Sequence, residues 1–312
     1  MLHIRNLEKS YGLFPVLRGL NMSVSKGDVY GFLGTNGCGK TTTMSIICNI
    51  LKKDAGEITF GKEDMKIGYL PESPALYGYM NGFEYLDFIA ACCEYEGDIK
   101  KRTAEVLQIT GMYSSASRQI KTYSRGMNQR VGIAAAIYSD PDLLILDEPT
   151  SALDPEGRAE VMEIINRLAT AGSTIILCTH ILTDVERVAN KIGILNGGVM
   201  SYEGALDEMK RAFGTDNAVT VRPKSGVDLS TALQGIEIIE HYLAEPYGDI
   251  TFYAKEGVAE AELFYKIITT LAAKQIIPEG VWFKRLSLEQ IYLGITSGSM
   301  VPGYSERGTK TV

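Results

Sequence analysis

Val29-Tyr30-Gly31-Phe32-Leu33-Gly34-Thr35-Asn36-Gly37-Cys38-Gly39-Lys40-Thr41 decides the fold class of this chain. Its first five residues form a short apolar run, the mark of a buried strand. The next eight fit G-x-x-x-x-G-K-[ST], and a helix-like run follows. Strand, glycine-rich loop and helix in that order are what a phosphate-binding loop requires. The glycines let backbone N–H groups close around a β-phosphate without steric conflict. The helix N-terminus adds positive dipole. Lys40 then reaches the β- and γ-phosphates, and the Thr41 hydroxyl ligates Mg²⁺. A chance glycine turn is the alternative, and the flanking strand and helix argue against it.

Two more apolar runs lie downstream, Leu143-Leu144-Ile145-Leu146 and Thr174-Ile175-Ile176-Leu177-Cys178. Runs without polar alternation suit central strands of a parallel sheet covered on both faces. The first run ends in Asp147-Glu148. An acid at the C-terminal end of a buried strand is placed to hold Mg²⁺ through water. The next carboxylate, Glu148, is placed to polarise an attacking water as general base. Two solvated carboxylates would be the plain reading of Asp147 and Glu148 alone; the upstream phosphate loop displaces it.

Outward from these motifs, residues 1 to about 30 alternate short apolar strands with turns, as in Leu2-His3-Ile4 and Met22-Ser23-Val24. Residues 81–140 read as helical. Asn81 followed by Glu84 forms a capping box, with Phe83, Leu86, Ile89 and Cys93 at helical spacing. Asp98 caps a second helix that runs to Gly111. The first domain is therefore α/β. A break falls at residues 213–217. Beyond it the order is strand (218–222), helix (229–233), strand (237–243), strand (249–253), helix (259–273), strand (280–284), which is the split βαβ arrangement. Residues 297–312 are polar and contain Gly and Ser; they read as a disordered tail.

At 312 residues the chain is long enough for two domains. Its 31 Lys and Arg against 38 Asp and Glu give a net charge of -7, which argues against nucleic acid as the partner. No signal peptide is read at the N-terminus, and no stretch reaches the ~18 apolar residues of a membrane helix. The five cysteines, Cys38, Cys48, Cys92, Cys93 and Cys178, include no C-x-x-C pair. They read as reduced thiols of a cytosolic protein. Cys38 lies inside the phosphate loop, so a bulky thiol reagent there is expected to block nucleotide binding.

The run Asp142–Pro155 (DLLILDEPTSALDP) resembles the joined Walker B and D-loop of the ATP-binding-cassette (ABC) ATPases. Tyr123-Ser124-Arg125-Gly126-Met127-Asn128-Gln129-Arg130 resembles their signature, usually L-S-G-G-Q, and Thr179-His180 their switch histidine. The resemblance covers residues 1 to about 212. It implies a P-loop NTPase cassette with a central mostly parallel sheet, an antiparallel β subdomain and a helical subdomain at about 73–140. Together these make an ATP-binding domain over 1–213. A small α+β accessory domain of ferredoxin-like type would follow over 217–296.

The implied cofactors are ATP and Mg²⁺. The implied ATP contacts are Tyr11, Gly34, Asn36, Gly37, Gly39, Lys40, Thr41 and Thr42. Tyr11 stands where the family stacks an aromatic on adenine, although a tyrosine packed at a strand end would look the same. Mg²⁺ would be held by Thr41 and Asp147, with Glu72 nearby. Glu148 and His180 are the implied catalytic residues. The family works as a head-to-tail dimer with two ATP molecules in its interface. Ser124, Arg125, Gly126 and Met127 would therefore act in trans, and Asp154 would belong to the opposing face. Ser124 and the Gly126 N–H, at a helix start, would offer donors to a γ-phosphate.

Three positions depart from the usual pattern. Glu72, in Gly68-Tyr69-Leu70-Pro71-Glu72, stands where the Q-loop glutamine is usual. A carboxylate can still bind Mg²⁺ or water, or serve only as a hinge. Arg125 and Met127 replace the common Gly and Gln; Arg125 either adds a favourable charge or faces solvent. The form Y-S-x-G-M, with Pro-Glu in the Q-loop, resembles the branch of subunits that export drugs, antibiotics and peptides. The run Leu286–Leu293 resembles that branch's ending and also reads as an amphipathic helix. The resemblance thus implies an ATPase that drives export through a separate transmembrane permease, peripheral on the cytoplasmic face of the cell membrane. Tyr77, Tyr79, Met80, Phe83 and Tyr85, in the segment 73–120, either line a groove for a permease helix or belong to the core. A soluble ABC ATPase acting on nucleic acid or ribosomes is the alternative. Those relatives usually carry two cassettes, a coiled coil or zinc cysteines, and none is visible here. A GTPase would need N-K-x-D, whereas Asn190-Lys191 is followed by Ile192-Gly193. A cassette without catalysis would not keep Lys40, Asp147, Glu148 and His180 together.

Overall fold

Three apolar runs build the middle of one sheet. Val29–Gly34 (β3), Leu143–Asp147 (β6) and Thr174–Thr179 (β7) are buried along their whole length. With Ile67–Leu70 (β5), Lys191–Asn196 (β8) and Val199–Ala205 (β9) they form a six-stranded sheet in the order β5-β6-β7-β3-β8-β9. The neighbours are parallel up to β8, and β9 returns antiparallel. This order sets the carboxyl ends of β3, β6 and β7 side by side, where open α/β sheets bind ligands. The computed structural model describes residues 1–213, 215–224, 228–233, 235–245 and 248–298.

A second sheet is antiparallel, with Phe14–Val24 (β2), Leu2–Tyr11 (β1) and Ala55–Phe60 (β4) in the order β2-β1-β4. Its Leu2, Leu7, Leu17 and Leu20 join Tyr30 and Phe32 of β3 in one buried cluster, with Met44 and Ile47 of helix Lys40–Ile47 (α1). Each such side chain contributes about 1.5–3 kcal/mol on burial. The cluster clamps the antiparallel sheet over the phosphate-loop strand.

The segment expected to be helical contains Gly82–Cys92 (α2), Ile99–Ile109 (α3) and Arg125–Ala136 (α4). The capping box of α2 is complete: Glu84 N–H donates to Asn81 Oδ1 at 3.0 Å, and Asn81 N–H to Glu84 Oε2 at 2.9 Å. Asp98 caps α3 through Lys101 N–H at 3.0 Å. The helix ends at Ile109, two residues before the expected end, because Gly111 turns left-handed at φ 65°. Helix α4 lies against β5 with no room between them. A Cβ on Gly68 would stand 2.1 Å from the Ala136 carbonyl oxygen, so only glycine fits. Pro155–Thr170 (α5) and Leu182–Val188 (α6) follow β6 and β7.

The chain divides into two compact units, Met1–Leu206 and Asp207–Val312. The helix Leu206–Phe213 (α7) thus falls largely on the far side of the division. The break expected at residues 213–217 begins where α7 ends, and Gly214 lies outside the described residues. The second unit runs Thr215–Arg222 (β10), Leu229–Ala232 (α8), Ile239–Ala244 (β11), Ile250–Ala254 (β12), Glu260–Ala273 (α9), Gly280–Arg285 (β13) and Leu288–Ser297 (α10). Its sheet has the order β11-β12-β10-β13, antiparallel throughout. Val219, Val221 and Phe252 meet Leu263, Ile267 and Leu271 of α9, three positions four residues apart, in a separate core. Of the expected tail, Ser297 ends α10 and Gly298 caps it at φ 78°; residues 299–312 lie outside the described residues. Among the described residues no helix is long and apolar enough to cross a membrane.

Candidate nucleotide site

The loop after β3 is held by its own glycines and its own lysine. A Cβ on Gly34 would stand 2.5 Å from Cys38 Sγ and 2.6 Å from the Leu195 carbonyl oxygen. Gly39 starts α1 at φ 112°, a conformation that side-chain-bearing residues rarely adopt, and the first turn of α1 has no side-chain cap. Lys40, buried, folds back over the loop. Its Nζ donates to the Gly34 carbonyl at 2.7 Å and the Thr35 carbonyl at 3.3 Å. The ammonium also lies 3.7 Å from Glu148 Oε1.

At the end of β6, Asp147 is 0% exposed, and neither of its carboxylate oxygens has a hydrogen-bond partner among the described residues. Burial above all raises its pKa. The Glu148 and Glu72 charges push the same way, while the nearby Thr41 hydroxyl and Lys40 oppose them. Two unmet acceptor oxygens on a buried carboxylate are destabilising. They suit a hard, oxygen-seeking cation.

A carboxyl whose folded pKa is raised favours the fold when protonated. That contribution is present at low pH and is lost as pH rises past the unfolded value. Asp147→Asn should therefore raise the melting temperature of the nucleotide-free protein at pH 7, by about 2–4 °C for each kcal/mol regained. The gain should shrink as the pH falls toward 4. Melting curves at the two pH values check this; a lower melting temperature for the variant at pH 7 would rule out the unmet-charge account.

Glu148 follows at φ 48°, with its N–H on the Cys178 carbonyl at 2.8 Å. This left-handed turn aims its side chain at the end of β7. His180 Nδ1 lies 3.0 Å from Oε1 and 2.9 Å from Oε2, and Thr179 Oγ1 donates to Oε2 at 3.4 Å. With Glu148 ionised, both carboxylate oxygens accept, so Nδ1 of His180 carries the proton.

A cleft of about 370 Å³ brings together Asn36, Gly37, Gly39, Lys40, Thr41, Thr42, Glu72, Glu148 and His180. Gly34 and Asp147 lie buried at its back. Val16 and Ser151 also line the cleft. Neither was among the sequence candidates: Val16 arrives from β2 through sheet pairing, which leaves no local mark, and Ser151 sits in the turn after Glu148. Tyr11, half exposed at the end of β1, is not among the lining residues; Lys9 Nζ sits 5.9 Å from its ring centre.

Ser124, Arg125, Gly126 and Asp154 gather elsewhere, in a depression of about 340 Å³ between the starts of α4 and α5. Ser124 Oγ accepts from Met127 N–H at 3.2 Å and Asp154 Oδ1 from Gly157 N–H at 3.0 Å, so each caps its helix. Met127 is half-buried and does not line the depression. The cleft and this depression share no lining residue.

Two expectations change. Cys38 is buried, and burial pushes its thiol pKa up despite Lys40. It is a poor nucleophile, not an accessible handle for blocking the loop. The aromatics of 73–120 divide: Tyr85 is core, whereas Tyr77 and Tyr79 are exposed and pack at 5.8 Å between ring centres. Phe88, which sequence spacing did not single out, joins them at 5.4 Å from Tyr77.

Comparison with known proteins agrees with this geometry. The family described as ABC transporter matches residues 17–151. The linearmycin resistance ATP-binding protein LnrL of Bacillus subtilis (strain 168) is 31% identical, over 96% of this chain and 99% of that protein. The lantibiotic transport ATP-binding protein SrtF of Streptococcus pyogenes is 38% identical, over 70% of this chain and 93% of its own. A solved ATP-binding subunit of an ABC transporter aligns with TM-score 0.61 and 29% identity, over 68% of this chain and 93% of that one. Similarity that runs nearly end to end with an ATP-binding protein places the chain in the ABC transporter family, as one of its ATP-binding and ATP-hydrolysing subunits.

Proposed function

We propose that this chain powers the export of antibiotics or peptides through a separate permease, working as a head-to-tail pair that encloses two ATP molecules. One observation carries the pairing: the phosphate cleft and the Ser124–Asp154 depression are separate places on one chain. A second copy, turned head to tail, would bring its depression over the first copy's cleft. Lys40 and the open first turn of α1 bind the phosphates. Tyr11 stacks on adenine, and Ser124 with the Gly126 N–H of the other copy meets the terminal phosphate. Thr41 and Asp147 would hold Mg²⁺, and the unmet oxygens of Asp147 fit that role. When bound, the cation neutralises charge on the terminal phosphates. Glu148 orients the attacking water and takes its proton, and His180 holds Glu148. Glu72, on the rim, links the cleft to the helical segment through its backbone, whose carbonyl accepts from Gln129 Nε2 at 2.9 Å.

The exposed aromatic cluster of Tyr77, Tyr79 and Phe88 would take a cytoplasmic helix of the permease, which puts the subunit on the inner face of the membrane. The substrate class follows the relatives: LnrL is named for linearmycin resistance, SrtF for lantibiotic transport, and BcrA of Enterococcus faecalis, 35% identical, for bacitracin transport. The net charge of -7 does not favour nucleic acid as the partner. Deleting the gene should sensitise its host to at least one member of a panel of linearmycin, lantibiotic and bacitracin-type compounds. The wild-type gene should restore resistance and the Lys40→Ala gene should not. Unchanged susceptibility across the panel would refute the substrate class.

A further inference from the structure

Among the described residues of the first unit, one buried carboxylate has no part in the reaction outlined above. Asp184, in the first turn of α6, is 4% exposed. Its two oxygens are divided between two partners. Oδ1 accepts from Arg158 Nε at 2.9 Å and Nη2 at 2.7 Å, while Oδ2 accepts from Thr150 Oγ1 at 2.6 Å. Thr150 is itself buried, at 2%. Arg158 Nη2 also donates to Thr183 Oγ1 at 2.6 Å. A charge-assisted contact of this kind is short and strongly directional, and a buried ion leaves its place only if all its bonds are replaced.

The three side chains come from three different motif segments. Thr150 stands two residues after Glu148. Asp184 stands four after His180, with its N–H on the Ile181 carbonyl at 3.1 Å, and Ile181 N–H donates to Thr179 Oγ1 at 3.0 Å. Arg158 stands one helical turn after Asp154, with its N–H on the Asp154 carbonyl at 2.9 Å. The Asp154 turn is therefore joined to the Glu148–His180 pair by one bonded path that runs through Asp184.

We propose that Asp184, held by Arg158 and Thr150, is a positioning residue for hydrolysis: it fixes the His180–Glu148 pair relative to the Asp154 turn, so that docking of a second copy at Asp154 sets the base for attack. This rests on the paired arrangement proposed above. Asp184 touches no substrate and acts through His180 and Glu148.

The experiment compares Asp184→Asn, Thr150→Val and Arg158→Lys with the wild-type full chain. Asparagine keeps an acceptor for Thr150 but loses the charge that holds Arg158. Valine keeps the shape of Thr150 without its hydroxyl, and serves if Asp184→Asn fails to fold. Steady-state ATP hydrolysis, binding of a fluorescent ATP analogue and melting temperature are measured for each. We expect kcat to fall about 10- to 100-fold, the scale of a misplaced reacting group, with KM and analogue affinity within about twofold. Combining Asp184→Asn with Arg158→Lys should lower kcat no further than the worse single change, because the two act as one unit. Wild-type kcat in Asp184→Asn or Thr150→Val would overturn the proposal. So would a loss that follows melting temperature or nucleotide affinity across the series, which is what a merely structural tie would give. The Glu148→Gln chain is the control for the pairing itself. If it fails to dimerise with ATP, the pairing falls. If it dimerises and Asp184→Asn still hydrolyses at the wild-type rate, only the positioning role falls.

Discussion

Glu148→Gln should hold ATP with at least wild-type affinity, hydrolyse it about 10²–10⁴-fold more slowly, and accumulate as an ATP-bound dimer. The range is the usual contribution of a positioned general base. The substitution keeps the shape of the side chain and one carbonyl acceptor, so the proton on His180 Nδ1, a nitrogen now 2.9–3.0 Å from the carboxylate oxygens, still finds a partner. It removes the basicity that takes a proton from water. It also removes a negative charge 3.7 Å from Lys40, in the cleft where the phosphates bind. Binding is thus spared or improved while the chemical step fails. The complex that hydrolysis would release persists, because ATP itself joins the two copies. Size-exclusion chromatography with light scattering, run with Mg·ATP and without nucleotide, reads the assembly; single-turnover hydrolysis reads the chemistry. A chain that stays monomeric at saturating ATP would remove the basis for a shared site, and one that hydrolyses normally would remove Glu148 from the role of base.

How much of this was legible in the sequence depends on the range of the signal. The phosphate loop is a local object. Gly37 and Gly39 answer a local backbone demand, with φ 79° and 112°, and G-x-x-x-x-G-K-[ST] states it directly. The helix caps at Asn81, Asp98 and Ser124 are equally local, because a side chain three residues away satisfies the first turn. The carboxylate pair was legible because an acid that ends an unbroken apolar run can lie only at the mouth of a buried strand. What was not legible depends on which strands become neighbours. Strand β7 lies between β6 and β3, and only that order brings His180 onto Glu148. The motif resemblance named both residues as catalytic; neither it nor spacing gave the contact between them. Val16 enters the cleft from the antiparallel sheet by the same kind of long-range pairing. The Cys38 thiol points inward because it packs beside Gly34, which a one-dimensional pattern does not encode. Asp184 was missed for a related reason: two partners far from it in sequence, Thr150 and Arg158, decide its environment.

Lys40→Ala should lose nucleotide affinity by about 10²-fold or more. Hydrogen bonds to charged groups are worth about 1.5–3 kcal/mol each, and each 1.4 kcal/mol is tenfold in Kd. An ammonium that meets two phosphates accounts for at least that loss. The resting structure adds a second consequence. Lys40 is the cation that faces both Asp147 and Glu148; it opposes the rise in the Asp147 pKa and lies within ion-pair distance of Glu148. Removing it leaves the Asp147 and Glu148 charges without the cation that offsets them, and the carbonyls of Gly34 and Thr35 without their donor. The variant should therefore also melt at a lower temperature without nucleotide, and part of that loss should return on adding Asp147→Asn, which removes the charge Lys40 was offsetting. Nucleotide affinity should not return with it, because the phosphate-binding cation is still missing. Titration with a fluorescent ATP analogue, paired with melting curves of the single and double variants, separates the two effects. If affinity recovers along with stability in the double variant, Lys40 serves the fold rather than the phosphates, and the loop would no longer be a phosphate site in the sense argued from its sequence.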